Sequence, residues 1–360
     1  MLQAGFLFST CQLGTEKVLK AETLRVFPAF RFAFSRPGFL TFKIPEECSG
    51  NPQVLREFLD RTVFSRTAAF SVATIVDVPN VWRILEERKI PVHRLHVFRR
   101  DPALPGDGFE PGPTVHDLAV HRMLIESCPT TQHLGIGADD LRLPAQSGET
   151  VADLVQLDDD QWFLGVHFVD EAAPLQARYA NGTVPISLPS DAVSRAWLKF
   201  EEGLRWSKFP IGFGDLCADI GASPGGGSQT LLARGARVLG IDPAAINPIV
   251  LRHPNFEHVR GRIRQVKRTL FRNVRWIIVD MNVAPGYVID VLDELLTRRD
   301  VNVRGLLFTL KLPQWELAEE IPAAVDFIKR WGFNVVTVKQ LAFNRREIMV
   351  AANRGSRSTG

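Results

Sequence analysis

The chain has 360 residues, 45% of them hydrophobic and 23% charged, a length and composition that predict two or three globular domains. No apolar run reaches the roughly 18 residues that span a bilayer, and the N-terminus has no basic segment typical of a secretory signal. The four cysteines lie far apart and form no C-x-x-C pair, which disfavours a disulfide framework or a zinc site. These features predict a cytoplasmic protein.

The first half of the chain predicts two small α+β units. Residues 1–75 show strand patterns at Gly5–Ser9, Phe30–Phe34 and Gly38–Phe42 and helical patterns at Glu16–Arg25 and Val54–Arg61. Residues 76–185 show strands at Leu95–Phe98 and Trp162–Phe168 and a helix at Val115–Glu126. A polar, proline-containing linker at Asn181–Asp191 separates these units from the second half.

The second half alternates strand and helix patterns, which predicts a mostly parallel α/β sheet covered by helices. The strands are expected at Leu216–Ile220, Val238–Ile241, Trp276–Val279, Gly305–Leu310, Asn334–Val338 and Glu347–Ala351, and the helices at Val288–Thr297 and Glu316–Trp331. Only Lys339–Arg346 joins the last two strands, too short for a crossover helix, so they should pair antiparallel. We therefore predict a doubly wound, Rossmann-like sheet that ends in an antiparallel hairpin.

Charge is distributed unevenly between the halves. Residues 191–360 hold 25 Lys+Arg against 17 Asp+Glu, a balance of +8, whereas residues 1–190 hold 18 against 23, a balance of −5. No acidic residue occurs between His258 and Asp280, where seven basic residues lie. They are Arg260, Arg262, Arg264, Lys267, Arg268, Arg272 and Arg275. Such a run is usually a solvated face, but it also suits a polyanion.

A glycine-rich turn follows the strand Leu216–Ile220 and leads into a helix expected at Ser228–Arg234. Glycines without Cβ atoms let the backbone approach a ligand, and the helix start directs N–H groups toward it. The next strand ends on Asp242, about 20 residues beyond the turn, where a nucleotide-binding βαβ unit places an acid on the ribose hydroxyls. The unit predicts an adenosine site, although a turn of this kind also occurs in α/β folds that bind no nucleotide.

Two lysines and two acids occur at strand ends or helix starts of the second half, where an open α/β sheet places its ligands: Lys199, Asp280, Lys311 and Glu347. A hydroxyl is a poor nucleophile at neutral pH, so a reaction at a hydroxyl requires a base or a positive field that stabilises the developing alkoxide. Burial or a nearby second ammonium would lower the pKa of Lys311 toward the working range. Asp280 would hold the Lys311 ammonium, and Glu347 would orient Lys199 or Lys311. Taken singly, each residue also fits a purely structural role.

These positions resemble a known family. Asp219–Gly226 (DIGASPGG), Ser194–Lys199 (SRAWLK), Val279–Met281 (VDM), Leu310–Pro313 (LKLP) and Arg346–Glu347 together resemble the FtsJ-type S-adenosylmethionine-dependent RNA ribose 2′-O-methyltransferases. Within them the chain is most similar to the family that modifies a cytidine of bacterial large-subunit ribosomal RNA. The resemblance is strong over residues 190–353.

The resemblance implies a domain order and a set of site residues. A ferredoxin-like domain over 1–75 and a THUMP-like RNA-binding domain over 76–185 would precede the methyltransferase domain at 190–353, with a disordered tail at 354–360. Lys199, Asp280, Lys311 and Glu347 would form a Lys-Asp-Lys-Glu tetrad with Lys311 as proton acceptor. S-adenosylmethionine would be the cofactor. Its site would be lined by Ser194, Asp219, Gly221, Ser223, Pro224, Gly225, Gly226, Asp242 and Asp280.

Two positions depart from the family pattern. Gly227 stands where an aromatic residue usually follows the double glycine, which we expect to remove a packing surface beside the cofactor. Arg262 lies near the position of an acid expected to bind the adenine amino group, and a guanidinium accepts no hydrogen bond. Adenine recognition would then come from the backbone or from another side chain.

The sequence therefore predicts an RNA ribose methyltransferase whose N-terminal domains select the RNA and whose basic run at 260–275 holds phosphates. An RNA-binding protein with a degenerate, non-catalytic methyltransferase fold is the main alternative, and a small-molecule or protein methyltransferase is a third. His116 and His121 are five residues apart and do not share a helix face, so no metal site is expected. Neither a membrane partner nor an oligomeric state is indicated.

Overall fold

The computed structural model describes residues 5–129, 134–135, 137–297 and 301–355. They belong to two compact units, Met1–Pro185 and Ile186–Gly360, each built on a seven-stranded sheet. Of the predicted disordered tail, residues 356–360 lie outside the described residues. In the part of the chain that the structure describes, no helix combines the length and apolar character needed to cross a membrane.

The first unit is a mixed sheet in the order β2-β3-β1-β4-β7-β6-β5. Its strands are β1 (Phe6–Thr10), β2 (Arg31–Arg36), β3 (Phe39–Lys43), β4 (Ala68–Ile75), β5 (Arg94–Arg99), β6 (Thr150–Asp158) and β7 (Gln161–Phe168). Its helices are α1 (Glu16–Val26), α2 (Pro52–Arg61), α3 (Asn80–Glu87) and α4 (Val115–Glu126). Antiparallel pairing of β4 with β7 joins the two segments that the sequence assigns to separate domains into one sheet. Their identity as ferredoxin-like and THUMP-like domains stays a prediction.

The second unit is the predicted α/β sheet, in the order β10-β9-β8-β11-β12-β14-β13. Its strands are β8 (Leu216–Ile220), β9 (Arg237–Ile241), β10 (Phe256–Val259), β11 (Trp276–Val279), β12 (Gly305–Lys311), β13 (Val335–Lys339) and β14 (Glu347–Asn353). Its α-helices are α5 (Ala196–Ser207), α6 (Gly226–Leu232), α7 (Pro248–Leu251), α8 (Pro285–Leu296) and α9 (Ile321–Lys329). Strands β8 to β12 run parallel, and β13 pairs antiparallel with β14, which confirms the predicted hairpin.

Strand order in the second unit fixes where a ligand can bind. From β8 the chain continues to β9 and β10 on one side, and it then crosses back to β11 on the other side of β8, so the strand order reverses between β8 and β11. Open α/β sheets bind ligands at such a switch point, beyond the carboxyl ends of the strands. Helices α5 and α6 cover one face of this region. Phe200 of α5 and Leu231 of α6 are buried in one apolar cluster with Ile278 of β11.

Candidate active site

The glycine-rich turn lies at the switch point and closely approaches the end of β11. Gly221 has φ +81°, and a Cβ there would lie 2.7 Å from the carbonyl oxygen of Asp280. Gly225 has φ +126°, which also favours glycine. The Ser223–Pro224 peptide bond is cis, and α6 begins at Gly226, two residues earlier than the sequence predicted.

Asp242, the predicted ribose-binding acid, lies directly beside this turn. Its carboxylate accepts hydrogen bonds from the backbone N–H groups of Ser223 (3.1 Å) and Ala244 (2.7 Å). The Ser223 hydroxyl in turn donates to the carbonyl of Ala245 (2.8 Å). The carboxylate is therefore held in a fixed orientation between the turn and the end of β9, where it remains half-buried.

The hydroxyl of Ser194 is the clearest sign of a polar ligand near the turn. Its oxygen is buried and has no hydrogen-bond partner among the described residues. It packs against Gly226, where any Cβ would overlap it. A buried hydroxyl without a partner is costly, and a polar ligand atom at this point would satisfy it.

Asp219, one of the predicted cofactor-site residues, is almost completely buried beneath the glycine-rich turn. It is 1% exposed and accepts a hydrogen bond from the Ser228 hydroxyl at 2.7 Å, which fastens α6 to β8. Burial raises the pKa of Asp219 to about 7, and the nearby carboxylates Asp280 and Asp242 add to the rise. Its position indicates that it supports the turn from below.

The four predicted catalytic residues are neighbours and form a closed ring of alternating charge. The Asp280 carboxylate contacts the Lys199 ammonium with one oxygen and the Lys311 ammonium with the other, the latter at 2.7 Å. Glu347 likewise contacts Lys199, at 3.2 Å, and Lys311. Each ammonium therefore lies between two carboxylates. All four side chains are at most 21% exposed, so solvent screens these pairs only partly.

Strand register and helix packing bring the ring together. Lys311 and Glu347 are directly paired residues of β12 and β14, and Asp280 follows the last residue of β11. Lys199 reaches them from α5, which packs closely on the sheet because Gly203 leaves room for Leu307 and Met349. A Cβ at Gly203 would lie only 3.1 Å from either side chain.

Two further residues support the ring and escaped the sequence analysis. The Thr309 hydroxyl donates to the Asp280 carboxylate at 2.8 Å, and it could have been found because Thr309 lies two residues before Lys311 on the same face of β12. Glu202, 2% exposed, accepts from the backbone N–H groups of Ala342 and Phe343 in the loop before β14. No local sequence pattern predicts the interaction between Glu202 and this loop.

The pKa of Lys311 departs from the expectation. Burial would lower it, but the adjacent carboxylates of Asp280 and Glu347 outweigh burial and raise it above the ordinary value. Burial would likewise raise the pKa of Asp280, yet the ammonium groups of Lys199 and Lys311 lower it to about 2. The prediction of a lowered Lys311 pKa was therefore wrong for this state, because it counted the second ammonium but not the two carboxylates.

The two departures from the family pattern have structural consequences. A Cβ at Gly227 would point into the apolar core, 3.0 Å from the side chains of Phe200 and Ile278. The expected loss of a packing surface beside the cofactor stays a prediction. Arg262 is exposed at the end of the segment that follows β10, and its backbone N–H donates to the Gln265 side chain at 3.3 Å.

The basic run at 260–275 is only partly available to a polyanion. Arg264 forms an ion pair with Glu294 at 2.8 Å, and Arg268 approaches the same carboxylate at 4.0 Å. Arg260 and Lys267 are exposed. Within the described residues, no cluster of three or more His, Cys, Asp or Glu side chains could hold a metal ion.

The second unit is similar to a known protein family. The model of the FtsJ-like methyltransferase family matches residues 192–337, a range that includes the glycine turn and three members of the ring. Glu347, the fourth member of the ring, lies ten residues beyond the end of the FtsJ-like match.

Curated relatives match about half of the chain or slightly more. The chain is 32% identical over 213 residues to a ribosomal RNA large subunit methyltransferase M from Xylella fastidiosa, covering 56% of this chain and 57% of the relative. It is 31% identical over 183 residues to the protein of the same name from Halorhodospira halophila, covering 49% and 51%. The chain thus spans a little over half the length of the relatives that it matches. Among solved structures, TrmN from Thermus thermophilus aligns with 97% of this chain and with 99% of its own chain, at 14% identity. The TM-score of this alignment is 0.34, which is too low to support an inference.

Proposed function

We propose that this chain transfers a methyl group from S-adenosylmethionine to a ribose 2′-hydroxyl of RNA, with bacterial large-subunit ribosomal RNA as its substrate. The observation that carries the proposal is the closed ring of Lys199, Asp280, Lys311 and Glu347 beside the glycine turn. The family match and the names of the curated relatives support the reaction class and the RNA. A cytoplasmic location, where ribosomal RNA is available, follows from the same proposal.

The residues around the turn fit S-adenosylmethionine. Asp242 presents a carboxylate suited to two ribose hydroxyls, the unpartnered Ser194 hydroxyl offers a hydrogen-bonding group, and Gly221 and Gly225 allow close backbone approach. When bound, the cofactor supplies an electrophilic methyl group on a sulfonium.

The ring supplies what the incoming hydroxyl needs. In the resting state Lys311 is an ammonium, because its raised pKa keeps the proton on Nζ. As an ammonium it stabilises the developing negative charge on the ribose oxygen. To act as a base, Lys311 first releases a proton, and we propose that Glu347, whose carboxylate contacts Nζ, accepts it. Asp280 and Thr309 hold the amine in position meanwhile.

The decisive experiment maps the modification. Ribosomal RNA from a strain lacking this protein is treated with the purified chain and S-adenosylmethionine, digested, and analysed by mass spectrometry. We expect one ribose methyl that is missing in the deletion strain and restored by the chain. A methyl on a base, or no methyl on RNA, would contradict the proposal.

The non-catalytic alternative makes a different prediction for the cofactor. A degenerate fold would bind RNA but give no heat of binding with S-adenosylmethionine in calorimetry. The intact ring weighs against that alternative, because four buried charges in mutual contact are costly to retain without a use.

A further inference from the structure

The edge of the first sheet carries an unusual concentration of positive charge. Residues 17–43 contain six basic residues and one acidic residue, within a half of the chain whose balance is −5. The single acid, Glu22, is buried and accepts hydrogen bonds from the backbone N–H groups of Val63 and Phe64. The exposed charge of this segment is therefore entirely positive.

Two of these cations face each other across the outermost strand pair. Arg31 of the edge strand β2 is the register partner of Lys43 on β3. Like charges directly opposite each other destabilise a sheet. Neither side chain forms an ion pair with any described carboxylate, although the Arg31 guanidinium is held by the carbonyls of Pro28 (2.7 Å) and Phe30 (3.1 Å). An external anion would relieve the repulsion.

An exposed aromatic ring, that of Phe32, follows Arg31 in β2 and lies against Lys20 of α1. Phe32 is 36% exposed, and the Lys20 ammonium lies 4.0 Å from the centre of its ring. Lys17 lies one helical turn before Lys20 on the same side of α1, and neither lysine pairs with a described carboxylate. Because side chains alternate along a strand, Lys20 and Phe32 lie on one face of the edge, and Arg31 and Lys43 lie on the other.

Several exposed cations elsewhere in the chain pair with a neighbouring acid. Arg83 pairs with Glu87 at 2.7 Å, Arg205 with Glu201 at 2.8 Å, and Lys329 with Asp326 at 3.2 Å. On β2 itself, Arg36 approaches Asp158 at 3.7 Å, whereas Lys17, Lys20, Arg31 and Lys43 form no ion pair with a described carboxylate.

We propose that this β2 edge, formed by Lys17, Lys20, Arg31, Phe32 and Lys43, binds single-stranded RNA. The cations contact successive phosphates and Phe32 stacks on a base, a combination typical of sequence-tolerant single-strand binding. The inference deepens the proposed function, on which it rests for the identity of the polyanion. A competing explanation is that the charges only prevent edge-to-edge aggregation of β2.

The test measures binding of the full chain to a fluorescently labelled single-stranded oligoribonucleotide by anisotropy, without cofactor and over a series of salt concentrations. We expect Arg31→Ala/Lys43→Ala to weaken binding and to reduce the slope of log K against log salt by about 0.7 for each phosphate that is no longer neutralised. Phe32→Ala should weaken binding about fivefold or more with an unchanged slope. The matched control is Arg83→Ala/Arg122→Ala, which removes the same charge from α3 and α4 of the same unit and should change neither quantity.

Three outcomes would contradict the proposed role of the β2 edge. The first is unchanged RNA affinity in the Arg31/Lys43 variant, and the second is an equally weakened affinity in the control. The third is self-association of the Arg31/Lys43 variant in light scattering with its RNA affinity intact. That result would mean that the charges protect the β2 edge from aggregation. Ribosomal RNA methylation is measured on the same preparations. If the unaltered chain methylates no RNA, the proposed function fails whatever the anisotropy shows; if the Arg31/Lys43 variant both binds and methylates normally, only the surface fails.

Discussion

Glu202 accepts hydrogen bonds from the backbone N–H groups of Phe343 at 2.9 Å and of the neighbouring Ala342 at 3.0 Å. Because Glu202 is one helical turn beyond Lys199 on α5, the same helix supplies one member of the ring and fixes the loop that leads to Glu347. Displacing that loop would therefore change the distance between Lys199 and Glu347.

Glu202→Gln tests this coupling. An amide can accept from only one of the two N–H groups without opposing the other with its own NH₂, so we expect about 1–3 kcal/mol of destabilisation and a reduced kcat. Glu201→Gln is the matched control, since Glu201 is also buried but pairs with Arg205 and Arg234 on the other side of the helix. Chemical denaturation and methylation kinetics should show lower stability in both variants and a lower kcat at the permissive temperature only in Glu202→Gln. An equal fall in kcat in both variants would refute the positioning role.

Lys311→Ala and Lys311→Arg separate the two roles of this lysine. Lys311→Ala should lower the methylation rate by about 10²–10⁴-fold while S-adenosylmethionine affinity measured by calorimetry stays nearly unchanged. Arginine keeps the positive charge but does not deprotonate in proteins. If the amine must act as a base, Lys311→Arg will be as inactive as Lys311→Ala; substantial activity in Lys311→Arg would assign the role to the positive field alone.

Gly226→Ala should abolish cofactor binding. Its methyl group would overlap the Ser194 hydroxyl and lie 3.0 Å from the backbone nitrogen of Trp197, so the start of α6 or of α5 would have to move. Gly212→Ala, before β8 at the amino end of the sheet, meets no atom within 4 Å and serves as the control. Calorimetry with S-adenosylmethionine should show binding in the control alone. Retained affinity in Gly226→Ala would show that this close approach does not shape the site.

Asp219→Asn should alter the dependence of stability on pH. The folded-state pKa of Asp219 is raised to about 7 from an ordinary 3.8, so between these values the native state holds a proton that the unfolded chain has released. The free energy of unfolding that Asp219 contributes therefore falls as pH rises through this range, by about 1.4 kcal/mol per pH unit. The amide oxygen can still accept from Ser228, so Asp219→Asn should flatten the decline and be more stable than the unaltered chain at pH 8. Denaturation midpoints from pH 4 to 8 would measure this, and parallel curves for the two proteins would disprove it.

Arg262→Asp addresses adenine recognition. If the carboxylate accepts a hydrogen bond from the adenine amino group, S-adenosylmethionine should bind several-fold more tightly than to the unaltered chain. Arg264→Asp, two residues away, removes the ion pair with Glu294 and provides the comparison. No gain, or an equal gain in both variants, would mean that the adenine amino group lies elsewhere.

Much of the second unit was predictable because its signals are local. Strands β8 and β11 begin and end where the apolar runs predict, and the four ring residues were singled out by their places at strand ends or before a strand. Helix α5 escaped prediction because Glu201, Glu202 and Gly203 interrupt its apolar pattern, and each is buried through a distant contact. Strands β4 and β6 were missed for a related reason: β4 is rich in small residues, and β6 buries Asp153 between His96 and His167. The raised pKa of Lys311 likewise depends on carboxylates supplied by two other strands, which no local pattern reveals.

The charges of the ring sum to zero, since two ammonium groups are matched by two carboxylates. A neutral cluster exerts little long-range attraction on a nucleic acid. Capture of the substrate is therefore left to cations outside the ring, and the salt sensitivity of KM should reflect those cations while kcat should respond only weakly to ionic strength. Affinity for RNA and chemical rate can accordingly be changed independently, by substitutions in different parts of the chain.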